Sequence, residues 1–458
     1  MTRSNRINQI TTVKKIVYIL TLSLFLVFVG CESLDFVDPN APSTDNASFQ
    51  NLVTGTEGAM RINIDQYLKV VSIFGREAYF FEPADPRFSG ELLHGPLDPN
   101  GFLLNNPWES RYRTIANTEI LIQRANEDPV LTAAEKASVT GFAKTIKAYQ
   151  LLLNLNYTYE NGVVLNISDD VNTPEAGKDE SYAFIISLLD EGFSDLQTAD
   201  DTFFFQLSEG FAGFDDPAGF AKFNRGLRAR VGAYVASESG SAQDWQLVLD
   251  ALEKSFLDEA GDMQTGAYHI FSTALGDRTN SIFEIPSASF VKFRAHPSFK
   301  TDAEAGDLRF SSKVLDRSGD PDFQTDFGDT ELASNLPITI TKSSTDRLSI
   351  IRNEELLLLR AEARIGLGDF AGAEVDMNIV RAAAGLAGYT GTDAGNALDR
   401  LLHEKRYSLF AEGHRWIDMR RYGRLDQLPI DRTGDANRPD DQVFKQWPIP
   451  FDEVPGGS

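Results

Sequence analysis

The clearest structural pattern in the chain is a pair of helices within residues 352–381, which read RNEELLLLRAEARIGLGDFAGAEVDMNIVR. Apolar residues recur at three- and four-residue spacings on both sides of the GLGD break, as in two amphipathic helices. Asn353 is placed to cap the first helix, Gly368 can adopt the left-handed conformation that ends it, and Asp369 can cap the second. A break this short predicts two antiparallel helices.

The small residues of this pair resemble those of a tetratricopeptide-type unit, in which two helix backbones approach closely. A similar outline spans residues 227–256, and a weaker one spans 143–159. The spacing between these units is not fixed. The pattern therefore predicts degenerate helix-pair repeats inside a globular protein instead of a regular solenoid.

The rest of the body also has mainly helical patterning. Predicted helices cover residues 60–71, 108–126, 133–156, 180–196, 223–237, 245–260, 353–367, 370–384 and 398–422. Predicted strands are short and cover residues 281–285, 290–293 and 336–341. The predicted fold class is mostly α: a helical scaffold with tetratricopeptide-like pairs, long binding loops and a few short strands. A functional site is expected first in the long polar loops at 74–107, 203–219, 261–279 and 295–330.

The last predicted helix, 398–422, carries one apolar stripe. At 100° per residue, the stripe contains Leu398, Leu402, Leu409 and Trp416. His414 and Asp418 lie on the opposite side, four residues apart, and are expected to pair. This predicts packing and internal pairing as the role of this segment.

Charge and cysteine content exclude several classes of function. The 458 residues include 67 acidic and 43 basic ones, which gives a net charge of −24. A surface this negative repels nucleic acid. The single cysteine, Cys31, can form neither an internal disulfide nor a multi-cysteine metal site.

The N-terminal segment has the pattern of a secretory signal peptide, because basic residues precede an apolar run at 16–29. A helix of that length spans about 21 Å, which is short of the roughly 30 Å core of a bilayer, so a permanent membrane helix is the weaker interpretation. Cys31 follows Gly30 at the end of the run, as in a bacterial lipoprotein cleavage site; the alternative is a chance cysteine. We expect a signal peptide at 1–30, a lipidated flexible tether at 31–48 and a single domain at 49–458, with 352–458 as its C-terminal part.

Several segments together resemble the SusD-like (RagB/SusD) family. These are WESRYRTIAN at 108–117, the helix pair at 351–386, and above all EKRY at 404–407 with EGHRWIDMRRYG at 412–423. Further similarities are DPNAP at 38–42, after Cys31, and WPIP at 447–450. The resemblance spans nearly all of the chain after the signal peptide.

The resemblance implies a surface-exposed outer-membrane lipoprotein of Bacteroidetes-type bacteria. Such proteins bind glycans or other nutrients and sit as a lid over a SusC-like TonB-dependent transporter. It further implies that the chain binds its ligand in loops and does not catalyse a reaction. It implies a structural role for the motif residues Trp108, Glu404, Arg406, Glu412, His414, Arg415, Trp416 and Asp418.

The sequence has no motif typical of a zinc protease, a serine hydrolase or a nucleotide-binding loop. Tyr407 stands where a zincin helix would need its second histidine after His403, and there is no nucleophile elbow or Walker loop. Acidic residues cluster at 316–329 and 431–441, where oxygen ligands could hold a structural calcium ion, although neither cluster matches an EF-hand. The alternative is two solvated acidic loops, and no other metal or cofactor is expected.

Two loops have the composition of a glycan site, in which aromatic faces stack on sugar rings and polar groups bind hydroxyls. They lie at 76–88 and 290–296. The predicted ligand contacts are Tyr79, Asp85, Arg87, Phe88, Phe293 and Arg294. The alternative is that the aromatic residues are core and that the charged ones only solvate the loops.

Two functions from different classes remain open at this point. The first is capture of an oligo- or polysaccharide and its delivery to a transporter. The second is a structural or adhesive surface lipoprotein that binds a protein partner through its helical repeats. The sequence does not identify the glycan.

Overall fold

The chain folds mainly into helices, as the sequence predicted. The computed structural model describes residues 47–167, 176–326, 332–434 and 438–450. In chain order the helices are α1 Phe49–Met60, α2 Ile64–Phe74, α3 Glu91–His94, α4 Phe102–Glu127, α5 Ala133–Thr158, α6 Lys178–Leu196, α7 Pro217–Ser239, α8 Ala242–Glu253, α9 Ser298–Thr301, α10 Leu308–Lys313, α11 Asn353–Gly366, α12 Phe370–Ala383, α13 Ala397–Ser408 and α14 Arg415–Arg421.

Successive helices pack against one another as a continuous stack. Helix α4 packs on α5, α5 on α6, α6 on α7 and α7 on α8, and α8 then contacts α11, which pairs with α12. The helix pairs predicted at 227–256 and 352–381 are therefore units of one scaffold, α7–α8 and α11–α12. The weaker outline at 143–159 is wrong as a pair, because it lies almost entirely within the single helix α5. The long loops lie between these units.

Two small antiparallel sheets tie the loops to the scaffold. Strand β1 (Ala78–Phe80) pairs with β3 (Phe293–Ala295), and β2 (Gly266–His269) pairs with β4 (Leu348–Arg352). Both join segments that are far apart in the sequence. The predicted strand at 290–293 only touches the start of β3, the one at 281–285 is irregular, and the one at 336–341 forms only isolated bridges. Strands β1, β2 and β4 were not predicted.

The residues that end α11 and cap α12 are those predicted from the sequence, but the predicted cap of α11 is wrong. Gly368 adopts a φ of +80°, and the Asp369 side chain accepts a hydrogen bond from the Gly372 amide. Asn353 is not the cap, because Arg352 occupies that position and Asn353 is the first helical residue. The buried Asn353 amide instead donates to the Asp258 carbonyl at 2.7 Å and so ties α11 to the preceding loop.

Two predicted helices are broken by residues with positive φ. The helix predicted at 60–71 is divided between α1 and α2, with Asn63 at a φ of +54°. The helix predicted at 398–422 is divided into α13 and α14, with Ala411 at +59° and Gly413 at +87°. The apolar pattern of the sequence does not reveal such bends, because the apolar residues on either side of each bend are still buried.

The second bend makes the predicted pairing of His414 with Asp418 wrong. His414 precedes α14, and its Nε2 atom lies 3.8 Å from the Glu355 carboxylate. Asp418 instead pairs with Lys405 at 3.0 Å and with Arg421 at 2.7 Å.

An aromatic cluster joins the N- and C-terminal parts of the described body. The Phe74 ring lies 4.8 Å from Trp416 and 5.3 Å from Trp447, measured between ring centres. The Trp416 indole N–H donates to the Phe444 carbonyl at 2.8 Å, so this buried ring has its polar atom satisfied. Within the described ranges, no helix is long and apolar enough to cross a membrane.

Candidate functional site

The two loops predicted to bind a glycan lie side by side. The β1–β3 pairing places Tyr79 opposite Arg294 and Phe80 opposite Phe293. The Phe81 amide continues the ladder by donating to the Lys292 carbonyl at 2.9 Å. The structure thus brings together residues that are more than two hundred positions apart in the sequence.

Four of the six predicted contact residues are buried there: Tyr79 is 4% exposed, Phe88 7%, Phe293 1% and Arg294 0%. The Arg294 guanidinium lies 4.9 Å from the ring centre of Phe81 and donates to backbone carbonyls. Its burial lowers the pKa of Arg294 to about 10. These four side chains hold the two loops together and present no face to a sugar in this structure.

The other two predicted residues, Asp85 and Arg87, are partly exposed. The Asp85 carboxylate accepts from the Arg87 guanidinium at 2.7 Å, and this hydrogen bond lowers the pKa of Asp85. The guanidinium also lies 4.3 Å from the centre of the Phe102 ring. Nearby, Lys292 pairs with Glu82 at 2.7 Å. We call these five residues the loop surface.

A cavity of about 800 Å³ lies beside the β2–β4 sheet. Its walls come from two of the long loops in which a site was expected, 203–219 and 261–279, and from β4. We call it the Tyr268 cavity; among the residues that line it are Glu209, Gln264, Tyr268, Asp346, Arg347 and Glu412. A volume of several hundred Å³ is typical of sites for small ligands.

Polar groups without a protein partner surround the Tyr268 ring. The exposed side chains of Glu209, Gln264 and Arg347 make no hydrogen bond or ion pair with any residue that the structure describes. The Arg347 guanidinium lies 3.7 Å from the centre of the Tyr268 ring, which is itself 6% exposed. The cavity therefore offers one free carboxylate, one free amide and one free guanidinium to a ligand.

One wall of the cavity is fixed by a buried ionic network. Arg352 pairs with Glu412 at 2.7 Å and also with Glu354, and the Lys313 ammonium lies 3.9 Å from Glu412. Burial lowers the pKa of Lys313 to about 8. These charges neutralise one another. Glu412 therefore helps to form the cavity wall but does not offer a free carboxylate to a ligand.

A short segment joins the cavity to the loop surface. The Asn280 amide N–H donates to the Ser344 carbonyl at 2.7 Å near the cavity rim. Four residues further on, the Glu284 carboxylate accepts from the Phe293 amide at 2.8 Å. Four residues of extended chain span at most about 14 Å. Asn280 and Glu284, the two ends of this segment, are therefore no further apart than the length of a short oligosaccharide.

The residues of the C-terminal motif mostly lie inside the protein. Trp108 and Trp416 are buried, and Glu412 and His414 take part in the contacts described above. Glu404 is fully buried between Arg309 at 2.6 Å and Arg381 at 2.7 Å. Arg406 pairs with Asp302 at 2.7 Å. Arg415 differs from these, since its one hydrogen bond is a long contact of 3.5 Å to the Leu402 carbonyl.

Oxygen and nitrogen atoms that could hold a cation converge at Glu304, His403 and Glu404. Arg381 pairs with both glutamates, at 2.6 and 2.7 Å, so cations of the chain already neutralise this group. Four of the described acids of the two predicted calcium loops are also paired: Asp316 with Lys300, Asp320 with Arg317, Asp431 with His296 and Asp441 with Arg432. Asp329 and Asp435 lie outside the described residues, as do Cys31, the signal peptide and nearly all of the tether. Structural calcium and the N-terminal organisation stay predictions.

The C-terminal part of the chain is similar in sequence to a known protein family. Residues 335–452 match the sequence model of the SusD family. A SusD superfamily protein from Parabacteroides distasonis is similar over 89% of this chain and 97% of its own, with a TM-score of 0.66 at 17% identity. The chain has the SusD-like fold.

Other solved structures share the SusD-like fold. A laminarin-binding SusD-like protein has a TM-score of 0.61 at 18% identity, over 88% of this chain and 96% of its own. Surface glycan-binding protein A from Bacteroides uniformis has a TM-score of 0.66 at 15% identity, over 87% of this chain and 95% of its own. No curated protein matches the chain.

Apart from Glu412, which was assigned a structural role, the residues of the Tyr268 cavity were not predicted from the sequence. The length and polarity of the loops at 203–219 and 261–279 indicated that these segments could form a site. They did not indicate which side chains would line it. Arg347 lies outside both loops, and only the β2–β4 pairing brings it to Tyr268. A composition argument favoured the aromatic-rich loops at 76–88 and 290–296 instead, where most of the aromatics are core.

Proposed function

We propose that this SusD-like protein binds a glycan without cleaving it and delivers it to a SusC-like TonB-dependent transporter in the outer membrane. The observation that carries the proposal is the Tyr268 cavity, with its free groups on Glu209, Gln264 and Arg347, in a chain of this fold. Sugar hydroxyls both donate and accept hydrogen bonds. A site with carboxylate, amide and guanidinium groups beside an aromatic ring suits them.

The ligands of two fold relatives support glycan as the ligand class. One relative is a laminarin-binding protein, and another was solved with a xylogluco-oligosaccharide, at 14% identity and a TM-score of 0.60. Those ligands belong to those proteins. For this chain we propose an oligosaccharide that occupies the Tyr268 cavity and extends to Asp85 and Arg87 on the loop surface.

The pairing of the acids in the cavity supports binding without hydrolysis. A glycosidase generally needs two carboxyl groups that face each other across the bond to be broken. In the cavity, Glu412 is neutralised by Arg352, and Asp346 accepts hydrogen bonds from Ser343 and Lys342. Glu209 is the only one of these three acids without a hydrogen bond or ion pair, so no second unpaired carboxyl group lines the cavity within the described residues.

Delivery requires attachment to the membrane surface, which we assign to lipidation of Cys31. Two or more acyl chains would hold the protein stably, and the polar residues 32–48 would let the body stand off the membrane. The body would then close over the transporter as a lid.

Affinity electrophoresis of the purified protein against a panel of polysaccharides tests the binding. We expect retarded migration in gels that contain one polysaccharide class, and no sugar products after long incubation with it. Retardation by none of the panel would contradict glycan binding, and released oligosaccharides would contradict the lack of catalysis.

Cross-linking on intact cells tests the delivery. We expect a large TonB-dependent barrel to be recovered with the wild-type protein. The Cys31→Ala variant should lose membrane attachment and the cross-link, yet retain glycan binding. Recovery of a different partner would favour the adhesive function instead.

A further inference from the structure

Two adjoining cavities form a groove on the C-terminal part of the protein. They share no lining residue with the Tyr268 cavity. Their volumes are about 280 and 160 Å³, and both are lined by Arg406, Arg415 and Gln427. Arg76 lines the larger cavity and Arg424 the smaller one. We call this feature the arginine groove.

The groove is basic in a chain whose net charge is −24. Arg406 on α13 pairs with Asp302 at 2.7 Å, and Arg424 pairs with Asp399, whose side chain is 67% exposed. Arg76 binds the backbone carbonyls of Ile73, Pro429 and Gln442. Among the residues that line the two cavities, two carboxylates stand against four guanidinium groups, so the lining carries an excess of positive charge; behind the lining, the Asp431 and Asp441 charges also act on Arg76.

Like Arg76, Arg415 has no ion pair among the described residues, but unlike Arg76 it also lacks short hydrogen bonds to carbonyl oxygens. No carboxylate of the described residues lies within ion-pair distance of it, and its one hydrogen bond is the 3.5 Å contact to the Leu402 carbonyl. A guanidinium has five N–H donors, so most of those on Arg415 are available. Leaving such a group half-buried and unpaired is costly unless a ligand or water satisfies it.

The acids closest to Arg415 do not compensate it. Burial raises the pKa of Glu77 to about 8, against the opposing effect of the Arg415 charge, and no ion pair or hydrogen bond joins the two side chains. The Asp418 charge is already shared by Lys405 and Arg421. Burial and the neighbouring Arg406 charge lower the pKa of Arg415 to about 10, which still leaves it protonated at pH 7.

We propose that the arginine groove binds the oxyanion group of a small ligand, a sulfate, phosphate or carboxylate, between Arg415 and Arg406. Guanidinium groups bind such anions with two parallel hydrogen bonds, and an ionised acceptor makes those bonds roughly twice as strong as neutral ones. The exposed Gln427 side chain, which lines both cavities, supplies a further amide donor. The site is separate from the proposed glycan site and does not depend on it.

Calorimetric titration at low ionic strength tests the proposal with three probes: sodium sulfate, sodium glucuronate and neutral glucose. We expect at least one of the two anions to bind, and glucose not to compete with it. Binding of sulfate alone would identify a tetrahedral oxyanion, and binding of glucuronate would identify a carboxylate on a sugar. Either result supports the site, and binding of neither anion overturns it.

Two variants locate the anion. Arg415→Gln removes the unpaired charge, and Gln427→Glu adds a negative charge at an exposed position where misfolding is not expected. Both should weaken anion binding at least tenfold. The control Arg113→Gln, which removes an arginine that is 68% exposed on α4, should not change it. Wild-type affinity in both groove variants would overturn the proposal, whatever the result of the glycan measurements.

Discussion

Buried carboxylates in the C-terminal part are held by pairs of cations. Lys405 contacts both Glu362 and Asp418 at 3.0 Å, and Arg421 also binds both acids. Burial alone would raise the pKa of Asp418, but the charges of Lys405 and Arg421 outweigh it and lower this pKa to about 2. The motif is therefore stabilising only while all of its charges are present, because removing one partner leaves another uncompensated in the interior.

Replacing Asp418 with Asn should destabilise the protein by about 3–5 kcal/mol at pH 7, since Lys405 and Arg421 would then share Glu362 alone. Denaturant unfolding measures this change. The exposed pair of Glu109 and Arg113 provides the control: Glu109→Gln should have little effect. Equal stability of Asp418→Asn and the wild type would contradict a structural role for this network.

The pH dependence of stability follows from the same pKa. The pKa of Asp418 in the folded state, about 2, lies below its unfolded value of about 3.9. Its stabilising contribution is therefore complete above about pH 4 and is lost as the pH falls towards 2. Unfolding curves between pH 2 and 7 should show a shallower acid dependence in Asp418→Asn than in the wild type. An identical dependence would show that other groups cause the acid lability.

At the residue scale, the sequence predicted the classes of contact but not the partners. The motif residues Glu404 and Asp418 were expected to pair internally, and they do lie in ion pairs. Their partners, Arg309, Arg381 and Lys405, come from different elements, and a helical wheel relates residues of one helix only. The aromatics of the 76–88 and 290–296 loops looked like stacking faces because composition does not reveal which side of a strand is buried.

At the scale of elements, one close approach joins two helix pairs. A Cβ atom added at Gly366, at the end of α11, would lie 2.2 Å from the Trp245 indole nitrogen on α8. Trp245 is 4% exposed and packs in the core between these helices. The glycine therefore sets the distance at which the 242–253 helix packs against the 353–366 helix.

Gly366→Ala should destabilise the protein by about 1–3 kcal/mol, because the methyl group overlaps the indole and the two helices must separate. Gly55→Ala on α1 is the matched control, since nothing lies within 4 Å of its added Cβ and alanine favours the helix by roughly 0.5–1 kcal/mol. Thermal unfolding of both variants measures the difference. If Gly366→Ala were as stable as Gly55→Ala, the close packing of the two pairs would be wrong.

Elements with a strong helical period were predicted well, and bends were not. The helices at 133–158, 178–196 and 370–383 begin and end within two residues of the predicted bounds. The bends at Asn63 and at Ala411–Gly413 were missed, because a non-glycine residue with positive φ has no reliable sequence signal. The β2–β4 pairing was missed for a different reason: strands this short have no distinctive period, and tertiary contacts decide their pairing.

At the scale of the whole molecule, the helical scaffold positions loops from distant parts of the chain. The β1–β3 sheet joins residues near 80 to residues near 294, and the β2–β4 sheet joins residues near 268 to residues near 350. The loop surface and the Tyr268 cavity are each built on one of these sheets. A ligand that contacts both would stabilise loops that the helices alone do not connect, so we expect glycan binding to raise the unfolding temperature.

The most direct test of the account is the affinity of the best-binding oligosaccharide for cavity variants, measured by titration calorimetry. Arg347→Ala and Glu209→Gln each alter an exposed side chain that makes no hydrogen bond or ion pair with the described residues, although Arg347 packs on the Tyr268 ring, so both variants should fold normally. We predict at least a tenfold loss of affinity in each, and unchanged affinity in the control Arg113→Ala. Wild-type affinity in both cavity variants, with a loss in Arg87→Ala, would contradict the account and place the glycan on the loop surface instead.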